Sequence, residues 1–137
     1  MDRRSQSGGN TVQTIREIDA PIETVWSILV DTTLWPQWGP SVVAVDCPET
    51  LIRSGLTGRV KTALGLWLPF EITSCQPPRY WHWKVCGVPA TGHRLRRRSA
   101  SRCDLAFEFP AVMFPYGLVC QKAANNIAQI AKSRINA

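Results

Sequence analysis

The sequence predicts an α+β domain, a curved antiparallel sheet of about seven strands with a long helix at the C-terminus and two short helices after the first strand. Three observations predict it. An alternating run, Thr11 to Ile18, is followed at once by a helix-start signal. A series of alternating runs separated by Gly, Pro and Ser turns fills residues 41–109. From Ala111 onward the apolar period changes from two residues to that of a helix.

The first strand, TVQTIREI, sets apolar Val12 and Ile18 against polar Gln13, Arg16 and Glu17. In the next segment Asp19 is placed to cap a helix and Pro21 suits its first turn. Glu23 brings a carboxylate to the positive end. Ile22, Val25, Trp26, Leu29 and Val30 recur at helical spacing as a buried stripe, leaving Glu23, Thr24 and Ser27 toward solvent. Asp31-Thr32-Thr33 offers a second cap, so Leu34 to Trp38 forms a further helical turn before Gly39-Pro40 ends it.

Ser41 to Cys47 reads as a second strand, stopped by Pro48, and Arg59 to Leu64 as a third, entered through a turn between Gly55 and Gly58. Leu66 to Cys75 is a fourth strand, in which Pro69 suggests an edge or a bulge. Pro77-Pro78 turns the chain into a fifth, Arg79 to Gly87, with Trp81, Trp83 and Val85 on one face. Thr91 to Ser99 and Arg102 to Phe109 form the sixth and seventh strands about a tight turn at Ala100-Ser101. In the terminal helix Met113, Tyr116, Cys120, Ala124, Ile127 and Ala131 share a face, and Pro115 delays the regular helix to near Tyr116.

The stretch IDAPIETVWSILVDTTLWPQW, Ile18 to Trp38, resembles the entry to the helix-grip fold of the START-like (SRPBCC) superfamily, the polyketide cyclase/dehydrase and lipid-transport group. There a strand leads into A-P-x-x-x-V-W/F and a short helix ends in W-x-x-W. The order of elements extends the resemblance over residues 11–137. It implies a cavity between sheet and long helix that holds lipids, sterols, hormones, polyketides or other largely apolar molecules.

The chain's 137 residues, 45% hydrophobic and 19% charged, suit one globular domain at 11–137, with 1–10 expected as a flexible tail. No apolar run is long enough to span a bilayer, and MDRRSQSGGN lacks the apolar core of a secretory signal, so a cytoplasmic location is expected. The cysteines at 47, 75, 86, 103 and 120 are scattered singly with no C-x-x-C pair, which argues against a disulfide framework and a zinc knuckle. No metal or other cofactor is expected. The net charge of +6 comes largely from the tail and from Arg94 to Arg102. Arg94, Arg96 and Arg98 would share a solvated strand face without interleaved aromatic platforms, so nucleic acid is an unfavoured partner; an acidic protein or an anionic membrane surface would use the same stripe.

Strand parity gives an inward set: Val43, Val45, Val60, Thr62, Leu66, Leu68, Phe70, Ile72, Trp81, Trp83, Val85, His93, Leu95, Leu105 and Phe107. Tyr116, Cys120, Ala124 and Ile127 join it from the helix. Such a lining suits a pocket for a small hydrophobic molecule, although a set so rich in Trp and Phe could also fill a core. His93 is the candidate acid or base, and Arg97, of the same parity, could meet a ligand carboxylate or phenolate at the rim or simply reach water. Tyr116 could donate a hydrogen bond to a ligand. Two functions follow: binding of a small, mostly hydrophobic ligand, or cyclisation or dehydration of a polyketide-like substrate with His93 as acid/base and Arg97 or Tyr116 steadying an enolate. The ligand and the oligomeric state are left open.

Overall fold

In the computed structural model, residues 11–110 and 117–136 are described. Seven antiparallel strands form a single sheet: β1 (Thr11–Ile18), β2 (Val42–Asp46), β3 (Thr57–Thr62), β4 (Trp67–Gln76), β5 (Tyr80–Val85), β6 (Val88–Ser99) and β7 (Arg102–Pro110). Their spatial order is β1-β7-β6-β5-β4-β3-β2. Hairpins join β2 to β7 in succession, and β1 closes on β7 at the far edge, with Thr14 opposite Phe107. Helix α1 (Ile22–Leu29), a 3-10 turn (Thr32–Leu34) and helix α2 (Trp35–Trp38) form a corner between β1 and β2; α3 (Gly117–Ile135) packs on β1, β7, α1 and α2. The expected α+β helix-grip architecture is the one observed.

Local chemistry explains most boundaries. Asp31 accepts from Thr33 N at 2.9 Å and caps the 3-10 turn, as expected. Asp19 does not cap α1. Pro21 holds the cap position in extended geometry, and the Asp19 carboxylate instead accepts from Arg102 Nε at 2.8 Å. The buried face of α1 is Ile22, Val25, Ile28 and Leu29, so Ile28 joins the expected stripe and Trp26 sits half-buried at its margin. Cys86 and Gly87, both at positive φ (55° and 76°), make the two-residue β5–β6 turn whose backbone twist matches that of a hairpin.

Bulges and one turn account for the errors of strand parity. Between Val42 and Ala44 the β2–β3 register shifts, so Val42 and Val45 both pack on the core while Val43 is 49% exposed. Leu66, also expected inward, lies in the β3–β4 turn and is exposed; its N–H donates to Thr62 Oγ1. Strand β4 is internal to the sheet, not an edge, and Pro69 pairs with Arg59 while its carbonyl accepts from Cys86 N. The irregularity in β4 lies between Ile72 and Ser74, and it carries the inward face from Ile72 to Cys75. The third strand begins two residues earlier than expected and the sixth at Val88, three residues earlier. Ala111 to Tyr116, with the expectations for Met113 and Tyr116, lie outside the described residues, as does the 1–10 tail. No helix among the described residues is long and apolar enough to cross a membrane.

Candidate functional site

A row of inward side chains crosses the sheet where strand register aligns them: Cys75 on β4 opposite Trp81 on β5, Trp81 opposite His93 on β6, and His93 opposite Phe107 on β7. Over it lies the corner helix α2. Its W-x-x-W spacing turns Trp35 and Trp38 to the same side, and both are buried. Their indole nitrogens are tied to the end of α1, Trp35 Nε1 donating to Leu29 O at 3.0 Å and Trp38 Nε1 to Ile28 O at 3.3 Å. These two bonds fix α2 against α1 and aim both rings at the sheet.

The result is an aromatic stack. Trp35 lies parallel to Trp81 at 5.3 Å between centroids, and Trp81 lies nearly parallel to His93 at 3.8 Å. Trp83 meets Trp35 and Trp81 edge-on, and Phe107 meets His93 and Trp38 edge-on. Beside the stack is a cavity of about 40 Å³, space for a few water molecules. Its deep wall is Trp35, Trp38, Trp81, His93, Phe107, Cys120 and Ala123, all buried; its outer wall is Pro40, Ser41, Val42 and Val119, which are exposed or half-buried. The cavity therefore runs inward from the α2–β2 loop and the first turns of α3.

Its polar groups form one short chain. Trp81 O can only accept, so the His93 Nδ1–H donates to it, across 3.4 Å. That leaves His93 Nε2 to accept from the Thr91 hydroxyl, also at 3.4 Å, and Thr91 Oγ1 accepts in turn from Trp83 Nε1 at 3.2 Å. Complete burial pushes the His93 pKa down to about 3, against the smaller raising effect of the Trp81 carbonyl. The imidazole is neutral at physiological pH. Burial also pushes the Cys120 thiol up to about 12, so it is no thiolate nucleophile.

Of the residues expected at the site, Trp81, Trp83, His93, Phe107 and Cys120 line this cavity. Val60, Phe70, Ile72, Leu95, Leu105, Ala124 and Ile127 are buried in the surrounding core, with Leu68 and Val85 packed against it. Thr62 ends β3 and holds the following turn. Arg97 reaches the surface and pairs with Glu23 Oε2 at 2.7 Å, the second of the two alternatives for it. Sequence reasoning missed Trp35, Trp38, Thr91, Val119 and Ala123. The W-x-x-W spacing was the available signal for the first two, but which wall they built depended on how the corner folds back over the sheet.

The basic stripe is largely neutralised in place. Arg94 pairs with Glu108, Arg98 with Asp104 at 3.6 Å, and Arg102 with Asp19. Groups of His, Cys, Asp and Glu able to hold a metal ion do not occur among the described residues.

Solved structures of the same fold include the protein XoxI of Bacillus cereus, with a TM-score of 0.69 at 13% identity over 89% of this chain and 95% of that one. A protein of Mesorhizobium loti gives 0.72 at 14% identity over 90% and 97%, and one of Chromobacterium violaceum 0.63 at 20% identity over 89% and 96%. No curated protein matches the chain in sequence. The family described as polyketide cyclase/dehydrase and lipid transport matches residues 10–104, the strand, the helical corner and the sheet as far as β7. On that match, and on a fold shared with these structures, the chain belongs to the polyketide cyclase/dehydrase and lipid transport family of the START-like superfamily.

Proposed function

We propose that the protein binds a small, mostly hydrophobic molecule in the cavity enclosed by the sheet, the corner helix α2 and the C-terminal helix α3. One observation carries the reading: an aromatic-walled cavity leads from half-exposed Val42 and Val119 to fully buried rings. Membership of a family described by lipid transport as well as by cyclase and dehydrase activity agrees with it. The volume of about 40 Å³ admits a few waters, so a single ring or short chain enters only as the surrounding side chains move apart.

The cyclase or dehydrase reading has less support. A histidine with its pKa near 3 is a poor base at neutral pH, and its Nε2 is already engaged by Thr91. Arg97, cast as the enolate partner, is held by Glu23 on the surface.

Native mass spectrometry of freshly purified protein, followed by organic extraction, tests the binding reading. The expected result is a reproducible added mass of a neutral apolar compound. Ala123→Leu, which places a larger side chain at the cavity wall, should remove the added mass without unfolding the protein. A clean mass for both proteins, with no response of either to added apolar probes, would reject it.

A further inference from the structure

Every indole in the aromatic stack has a hydrogen-bond acceptor except one. Trp35 donates to Leu29 O, Trp38 to Ile28 O and Trp83 to Thr91 Oγ1, whereas Trp81 Nε1 is buried with no partner among the described residues. It is the one side-chain nitrogen or oxygen among them in that state. A buried donor left unsatisfied is costly, and native structures rarely tolerate one without a water, an ion or a ligand to meet it. Trp81 is 1% exposed and lines the cavity. It stacks against Trp35 and His93 and meets Trp83 at a steep angle, and no water-sized space touches its Nε1, so a partner reaches the N–H only as the wall opens around it.

The rest of the wall restricts what that partner can be. Among the described residues no lysine, arginine, aspartate or glutamate lines the cavity, and the histidine that does is held neutral by burial. A charged group would lose its hydration there with no counter-charge to replace it. We infer that the cavity selects uncharged ligands bearing a hydrogen-bond acceptor, a carbonyl or ether oxygen or a ring nitrogen, which takes the indole N–H of Trp81. This rests on the cavity being the binding site and specifies the chemistry of its occupant. As the wall opens around a ligand, an acceptor-bearing one pairs the Trp81 donor that is unpaired in the free protein, whereas an apolar ligand of the same shape leaves it unpaired.

The test compares near-isosteric probes, cyclopentanone and methylenecyclopentane, which differ by an oxygen in place of a methylene, with cyclopentanecarboxylate as the anionic counterpart. Binding to the full chain is followed by the proton and nitrogen shifts of its assigned indole N–H groups. The expected result is a downfield shift of the Trp81 indole proton with the ketone and none with the hydrocarbon. The carboxylate should bind at least about tenfold more weakly than the ketone. In Trp81→Phe, which keeps an aromatic ring and lacks the donor, the ketone's affinity relative to the hydrocarbon should fall by about tenfold. Should Trp81→Phe fail to fold, the proton shift in the unaltered protein decides alone. Binding of both neutral probes with no Trp81 proton shift, or tighter binding of the carboxylate, would overturn the inference and leave the cavity standing. Failure of all three probes to bind would remove the cavity reading and the inference with it.

Discussion

His93 shows how a single buried group ties the site to the stability of the fold. Its folded pKa, near 3, lies below the ordinary histidine value of 6.5, so the unfolded chain takes up a proton that the folded protein refuses. The stabilisation is complete above pH 6.5 and is lost progressively as pH falls toward 3, with a slope of up to about 1.4 kcal/mol per pH unit. Denaturant titrations across pH 7 to 4 should show this slope, and His93→Gln, which cannot titrate, should flatten it. Glu108 acts lower on the scale. Hydrogen bonds from His82 and Gln13 and the charge of Arg94 hold its carboxyl at about 2, so its contribution is present above 4.5 and lost as pH falls through 2. Glu108→Gln should therefore flatten only the acid end of the same profile. Trp35 has a plainer role, buried against Phe70, Trp81 and Trp83. Trp35→Ala should cost about 3–5 kcal/mol in denaturant unfolding, a large share of the stability of a domain this size.

At the scale of elements, close approach and bulges decide which side chains reach the cavity. β2 and β3 meet at Gly58, where an added Cβ would stand 2.5 Å from Cys47 Cβ and 2.8 Å from Asp46 O. Backbone cannot yield as a flexible side chain does. Gly58→Ala should cost about 1–3 kcal/mol and loosen the β2–β3 pairing, seen as lost amide-exchange protection on both strands. On β6, Thr91 and His93 share the inner face by simple alternation, and pairing with β5 brings Trp83 Nε1 to Thr91, which creates the Trp83–Thr91–His93 chain. On the outer end of the same strand, Arg97 bridges to the first turn of α1 through Glu23, and neither residue lines the cavity. Arg97→Ala should leave probe binding within about twofold of the unaltered protein, because exposed ion pairs contribute little and this one touches no wall residue. A larger loss in a probe titration would contradict the placement of Arg97 outside the site.

For the molecule as a whole, the five free thiols report how it opens. Cys86 sits exposed in the β5–β6 turn, whereas Cys103 on β7 and Cys120 on α3 are buried and their thiols are pushed up to about 11 and about 12. At pH 8 a thiol reagent should modify Cys86 at once and Cys103 and Cys120 only as fast as the structure opens. Equal rates at the two buried sites would mean that α3 and the sheet open as one cooperative unit. Faster reaction at Cys120 would mean that α3 lifts from the sheet first, uncovering the cavity. Since β1 pairs with β7 across most of the chain's length, closing the sheet requires distant segments to meet, and folding in milliseconds to seconds is expected in stopped-flow mixing.

Much of this protein was legible in the residues themselves. Alternation along the chain, a cap at Asp31, a breaker at Gly39-Pro40 and a helical period after residue 111 are local signals, and they were enough for element order, fold class and, through Ile18 to Trp38, the family. They also placed Trp81, Trp83, His93, Phe107 and Cys120 on inward faces. What they could not supply is anything that depends on register. A one-residue bulge reverses every later side chain, so Val43 turned outward and Ile72 was followed inward by Cys75. Nor does a strand's parity reveal what lies above it. Only the tertiary structure brought Trp35 and Trp38 over the sheet, narrowed the space to about 40 Å³, drew Arg97 away to Glu23 and left Trp81 Nε1 unpaired. The physical reason is that face and period are properties of neighbouring residues, whereas an enclosed volume and an unsatisfied donor depend on where all the surrounding elements come to rest.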